Sequence, residues 1–235
     1  MAQIHSKAGL KNRRRVFADR FEAGRVLGDM LAPAYTGARD LVLLPIPMGG
    51  VPAAVRIREA LGGAMDLMIV RKIQIPGNTE AGFGAMTSEG DVFLNEALLA
   101  HLELGPEQVA RQEASVRADL QDRERRLRGG RPFPDLAGRT VILVDDGLAS
   151  GFTMKAAVYR VNKRRAGHTI VAVPTAPQRT IDDLAAACDE IYCPNVREGF
   201  SFAVADAYRN WRDVGESEAQ RCLRRAGRQR ITEDH

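Results

Sequence analysis

Two adjacent carboxylates stand where chemistry is most easily done. From Val141 to Thr153 the chain reads VILVDDGLASGFT: four apolar residues, Asp145 and Asp146, then a small-residue loop with hydroxyls at Ser150 and Thr153. The unbroken apolar run Val141-Ile142-Leu143-Val144 predicts a strand buried on both faces, so the acids fall at its carboxyl end, where open α/β sheets place ligands. Gly147, Leu148, Ala149, Ser150, Gly151, Phe152 and Thr153 then form a candidate phosphate cradle. Small residues let backbone N–H groups approach an anion, and a helix expected from Met154 to about Arg165 turns its positive end toward the same point. Acids beside a monophosphate nest point to a phosphorylated sugar whose hydroxyls the carboxylates hold.

Two further segments have the same logic and less specificity. Pro47-Met48-Gly49-Gly50 follows an apolar run from Leu41 to Ile46. Its glycines would expose N–H groups of Met48, Gly49 and Gly50 to an anion, although a Gly-Gly turn is more often only a tight turn. Arg71-Lys72 follows the run Asp66 to Val70. A basic pair at a strand end is usually solvated; here it would project toward the same sheet edge, where two cations suit a diphosphate and the charge that builds on it as it leaves.

Taken together, the segments PMGGVP, RKIQIPGN and DDGLASGFTM resemble the type I phosphoribosyltransferases, and in particular bacterial members whose acceptor is not evident from their motifs. The resemblance covers about Leu41 to Tyr192. It implies transfer of the 5-phosphoribosyl group from 5-phosphoribosyl-1-pyrophosphate (PRPP) to a nitrogen nucleophile, with Mg2+ as cofactor and release of pyrophosphate. Asp145 and Asp146 would meet the ribose hydroxyls, directly or through the ion or water, with Arg71 and Lys72 completing the catalytic set. The 147–153 loop would take the 5-phosphate and Met48, Gly49 and Gly50 the pyrophosphate. A mobile hairpin loop over about 73–95 would exclude water. A small hood over about 195–211 would recognise the acceptor, with Phe200, Phe202 or Tyr208 either stacking on a heterocycle or packing the hood against the sheet. A homodimer is a further implication. Hypoxanthine-guanine type members carry an aspartate at the position of Ala149, so this loop looks more like the adenine type. Ser150 stands where threonine is usual and Phe152 where glycine or alanine is frequent.

The elements that must position these residues follow from periodicity. Phe17 to Ala32 has helical spacing and Pro33 lies beyond its expected end; Pro52 to Leu61 is a second helix. Phe83–Met86 and Asp91–Leu94 read as strands closed by Ser88-Glu89-Gly90. Glu96–His101 and Pro106–Leu127 are helical, the second stopped by Gly129-Gly130. Thr169–Val173, Ile181–Ala187 and Glu190–Tyr192 continue as strand, helix, strand. This alternation predicts an α/β fold: a mostly parallel twisted sheet with helices on both faces. One domain is expected over 17–215, after a disordered basic tail over 1–16 and before a C-terminal helix and tail over 216–235.

Composition bounds the alternatives. The 235 residues are 45% hydrophobic and 27% charged, with net charge +4, values ordinary for a globular domain. Basic clusters at Lys7–Arg15, Arg123–Arg131 and Arg221–Arg230 are mostly interleaved with acids, and aromatics make up only 6%, which disfavours nucleic acid as a partner. The longest uncharged stretch, Leu41 to Val55, holds three prolines and two glycines, so a membrane span is not expected. Cys188, Cys193 and Cys222 lack ligand spacing and suit a reducing, cytoplasmic setting. Two other functions keep the same site: a non-catalytic sensor of PRPP or nucleotides whose basic tails contact a partner, and a hydrolase using water.

Overall fold

The computed structural model describes residues 1–102, 104–199 and 201–225, without the side chains of 79–81. The elements are β1 (Gln3–His5), α1 (Arg20–Tyr35), β2 (Leu41–Pro45), α2 (Gly50–Leu61), β3 (Ala64–Met65), β4 (Val70–Ile75), β5 (Asn78–Thr87), β6 (Val92–Leu94), α3 (Glu96–Leu102) and α4 (Pro106–Arg128). They continue with β7 (Thr140–Val144), α5 (Phe152–Lys163), β8 (His168–Ala172), β9 (Thr175–Pro177), α6 (Gln178–Leu184), β10 (Glu190–Tyr192), β11 (Asn195–Arg197) and α7 (Glu216–Arg225).

The central sheet has the order β1-β10-β8-β7-β2-β3, and every neighbouring pair in it is parallel. Its middle strands are apolar throughout because both faces are covered. Leu43, Ile142, Val144 and Ile170 face a layer built with Leu27 and Leu31 of α1, Val51 and Ile57 of α2, and Leu223 of α7. Val42, Leu44, Val141 and Leu143 face the opposite layer, with Met154 and Val158 of α5 and Ile181 of α6. The twofold alternation of a strand thus feeds two separate cores.

Strand order decides where a ligand fits. After β2 the chain steps outward to β3; it then returns to place β7 on the other side of β2 and continues to β8 and β10. The connections from β2 and β7 therefore diverge to opposite sides, leaving a crevice between their carboxyl ends. Pro47–Gly50 and Asp145–Gly151 are the two segments at that crevice.

Several expectations are corrected. Residues 1–16 are not a disordered tail: β1 adds to the sheet edge beside β10, with Gln3 N donating to Asp189 O at 2.9 Å and Cys193 N to His5 O at 2.8 Å. The basic stretch Lys11–Arg15 is exposed beyond it. Pro33 lies inside α1, in its last turn, rather than after it. The third parallel strand is short. Asp66 N and Met68 N still bond to Leu43 O and Pro45 O of β2, but from Val70 the chain pairs with β5, so Arg71 and Lys72 sit within β4 of a separate antiparallel sheet, β4-β5-β6, and not at a parallel strand's end. The expected hairpin is present as β5–β6. Its Glu89–Asp91 turn is held to α5 by Arg160 (2.5 Å to Glu89, 3.0 Å to Asp91) and Lys163 (2.6 Å to Asp91). The 195–211 segment carries β11, paired in parallel with β9, and a 3-10 turn over Val204–Ala207. Of the C-terminal expectation, α7 is the helix, and residues 226–235 lie outside the described residues.

Candidate active site

At the crevice the β2 turn and the β7 acids touch. A Cβ on Gly49 would lie 2.6 Å from Asp146 Cγ, and one on Gly50 would lie 3.0 Å from Asp145 Cα. Only glycine lets the turn and the acid pair nest this closely. The Pro47–Met48 peptide is cis, Met48 is half-buried, and α2 starts at Gly50 directly behind the turn.

The 147–153 loop is fixed from below. Leu148 N donates to Thr175 O at 2.9 Å and the Thr180 hydroxyl to Ala149 O at 2.8 Å, leaving Ala149 and Ser150 exposed. Thr175 is itself braced by a buried bond of 2.7 Å to Asn195 of β11. Gly147 (φ 155°) meets Val204 and Thr175, and Gly151 (φ 75°) turns the chain into α5 with Thr180 2.6 Å from its missing Cβ. Among the described residues no side chain caps α5. Its first N–H groups, near Phe152 and Thr153, are thus oriented for an anion, as at other glycine-led helix starts.

Asp145 and Asp146 are crowded charges. Burial, followed by the neighbouring Asp146 carboxylate, pushes the Asp145 carboxyl well above the usual range. Burial also raises that of Asp146, against the opposing pull of Arg20. The Arg20 Nε donates to Asp146 Oδ2 at 2.7 Å, and the Arg20 guanidinium stacks 3.9 Å from the centre of the Trp211 ring. Arg20 escaped sequence reasoning because it lies 126 residues from its partner. One signal was available: it opens α1, where the helix dipole disfavours a cation unless a tertiary partner holds it. Two carboxylates with one arginine leave a net negative, all-oxygen site whose donor chemistry fits a hard divalent cation. Among the described residues no cluster of three or more His, Cys, Asp or Glu is arranged for a metal, so ligand oxygens would complete the coordination.

The remaining candidates separate. Arg71 is half-exposed and paired with Asp119 of α4 at 2.7 Å, while the Lys72 stem lies against Gly82. Tyr208 is buried, packs beside Phe17 and Trp211, and donates its hydroxyl to the Asp146 carbonyl at 2.5 Å. It supports the acid pair and has no face open for a heterocycle. Phe202 is half-buried with the Arg197 guanidinium 6.0 Å from its ring centre. Phe200 lies outside the described residues.

A family model described as the phosphoribosyl transferase domain matches residues 26–207. The chain belongs to the phosphoribosyl transferase family. Two relatives from Mycobacterium tuberculosis strains CDC 1551 / Oshkosh and H37Rv, each named "Putative phosphoribosyl transferase", are 34% identical over 214 residues, 91% of this chain and 48% of theirs. The chain thus spans about half the length of these curated relatives. The crystal structure of TT1426 from Thermus thermophilus superposes with a TM-score of 0.71 at 34% identity, over 88% of this chain and 97% of that one. As a phosphoribosyl transferase domain, the chain has its acid pair, β2 turn and 147–153 loop all inside the matched span; Arg20, Tyr208 and Trp211 fall just outside it.

Proposed function

We propose that this protein transfers the 5-phosphoribosyl group of PRPP to a nitrogen nucleophile, a nucleobase, with release of pyrophosphate. The observation that carries the reading is the nesting of the β2 glycine turn against the β7 acid pair at the point where strand order reverses. Two helix starts, of α2 and α5, flank the same acids. That provides one anion site on each side of a pair of hydroxyl acceptors, matching a sugar with a phosphate at one end and a diphosphate at the other.

In this reading Asp145 and Asp146 accept from the ribose 2′- and 3′-hydroxyls, and the 147–153 loop holds the 5-phosphate through N–H groups and the Ser150 and Thr153 hydroxyls. Met48, Gly49 and Gly50 meet the pyrophosphate. The C1–O bond breaks with its electron pair leaving on pyrophosphate, the C1–N bond forms, and the nitrogen's proton passes to the pyrophosphate oxygen that gained the pair. A cationic sugar transition state makes positioning and charge compensation the main contributions. Mg2+, held by Asp145 and Asp146 through the sugar hydroxyls or water, would supply positive charge to the departing group. Arg71 and Lys72 contribute charge on the pyrophosphate side only if Arg71 exchanges Asp119 for the ligand. Phe202 would flank the acceptor.

No described helix is long and apolar enough to cross a membrane, and the three described cysteines are free; a cytoplasmic homodimer remains the expectation that goes with this reading. The test is pyrophosphate release from Mg2+-PRPP across a panel of nucleobases, with Asp145→Asn/Asp146→Asn as control. Turnover on one base, lost in the double variant, supports the reading; full turnover in that variant refutes the site. Tight PRPP binding with no turnover identifies a sensor, and ribose 5-phosphate formed without any base identifies a hydrolase.

A further inference from the structure

Arg20 and Trp211 lie on either side of residues 26–207, the span matched by the family model, yet they meet at the acid pair. The Arg20 side chain is only 8% exposed and uses its planar fork three ways. Nε donates to Asp146 Oδ2 at 2.7 Å, a terminal nitrogen donates to the Arg212 carbonyl at 2.7 Å, and the guanidinium plane lies 3.9 Å from the Trp211 ring centre. The Arg212 guanidinium in turn holds Glu218 of α7 through two bonds of 2.6 Å. The Asp146 backbone carbonyl accepts from Tyr208, three residues before Trp211. A continuous set of contacts therefore runs from one carboxylate of the acid pair to α7.

A buried ion pair serving only to join α1 to β7 would not need this arrangement, because an apolar pair of similar volume does that as well or better. Gly49 closes one side of the Asp146 carboxylate and Arg20 holds the other, so the two together leave it one orientation. We propose that Arg20 is a positioning residue that fixes Asp146 for the sugar and couples it to Trp211, so that filling the crevice changes the surroundings of that ring. The inference rests on the phosphoribosyl reading above. Trp211 is the chain's single tryptophan and is 38% exposed. Its emission therefore reports the surroundings of this one ring, which Arg20 and Tyr208 line.

The experiment titrates Mg2+-PRPP into the full chain by calorimetry, with thermal melting alongside, for wild type, R20K, R20Q and W211F, and by tryptophan fluorescence for wild type, R20K and R20Q, which keep Trp211. Wild type should bind with a saturable change in emission. R20K keeps the charge but neither the planar fork nor the stack. It should melt cooperatively, bind roughly 10- to 100-fold more weakly, as expected for a residue that orients a ligand-binding group, and lose most of the emission change. W211F should bind more weakly than wild type and more tightly than R20K. R20Q leaves Asp146 unpaired and can fail to fold; R20K and W211F keep the test decisive. If R20K matches wild type in affinity and emission, Arg20 is structural only and the inference falls while the phosphoribosyl reading stands. If wild type takes up no Mg2+-PRPP, the phosphoribosyl reading falls and this inference with it.

Discussion

Replacing Gly49 by alanine separates the geometry of the site from the stability of the fold. Gly49 sits at φ −62° and ψ −38°, a conformation alanine adopts without strain, and removing glycine's freedom in the unfolded chain is worth about 0.4–1 kcal/mol in favour of folding. The new Cβ, however, would lie 2.6 Å from Asp146 Cγ, where ordinary contact needs 3.4–4 Å. The carboxylate must retreat by about 1 Å to recover a normal carbon contact. It cannot do so freely, since Arg20 holds its Oδ2 and Tyr208 its backbone carbonyl. Loss of one hydrogen bond between the displaced carboxylate and a sugar hydroxyl costs about 1.5–3 kcal/mol, on the order of 10- to 100-fold in Kd. Calorimetric titration of Mg2+-PRPP into G49A should therefore show about that loss, with the melting temperature within about 4 °C of wild type. Gly9→Ala, whose Cβ meets nothing within 4 Å, should match wild type in both. Wild-type affinity in G49A would refute the nesting of turn and acid pair as a shared binding element. A large loss of stability with affinity retained in the folded fraction would show that the backbone yields instead of Asp146.

Other predictions test the scaffold. Glu190 is partly buried, which raises its carboxyl, but bonds from Tyr35, His168, Tyr192 and His5 outweigh this and bring it down to about 2. Relative to about 4.3 in the unfolded chain, its contribution is present above pH ~4.3 and is lost as pH falls through about 2. Chemical denaturation of E190Q should show a loss on the order of 2 kcal/mol at neutral pH and a flatter stability profile between those two pH values; an unchanged profile contradicts the assignment. Asp91 is buried between Arg160 and Lys163, so D91N, which removes one of the two acids on Arg160 and leaves Glu89 as the other, should cost about 1–3 kcal/mol. Hydrogen exchange should speed up most at β5, β6 and the C-terminal half of α5; uniform acceleration would mean that the hairpin is not locally pinned by this cluster.

What could be read from the sequence was what is local. Strand, acids, loop and helix start are contiguous from Val141 to Thr153, so β7, the turn after it and α5 followed from neighbour-to-neighbour rules, and Gly129 ends α4 in the left-handed conformation as a helix-stop glycine should. Elements defined by distant partners were hidden. Gln3–His5 is too short to show a period, and it becomes a strand because β10, at the far end of the chain, presents a parallel edge to it. The apolar run Leu67–Val70 does not show where the chain leaves the parallel sheet, since that is set by pairing of Val70 with Thr87. The same holds at the site: Arg20 and Tyr208 reach Asp146 across 126 and 62 residues. The aromatic content of the hood left stacking on a ligand and packing against the sheet both open, and the burial of Tyr208 makes that ring a support.

The central claim is that the acid pair in the β2–β7 crevice is where PRPP binds, and its most direct test pairs affinity with stability. Burial raises both carboxyls, so the folded state holds protons the unfolded chain has lost, and stability falls as pH rises from about 3.9 toward those raised values. Asp145→Asn/Asp146→Asn removes that cost while leaving Arg20 an amide oxygen. Calorimetric titration with Mg2+-PRPP should give saturable binding to wild type and none to the double variant, with the variant folded and losing the pH dependence that wild type shows over this window. Undiminished binding by a folded double variant would contradict the account.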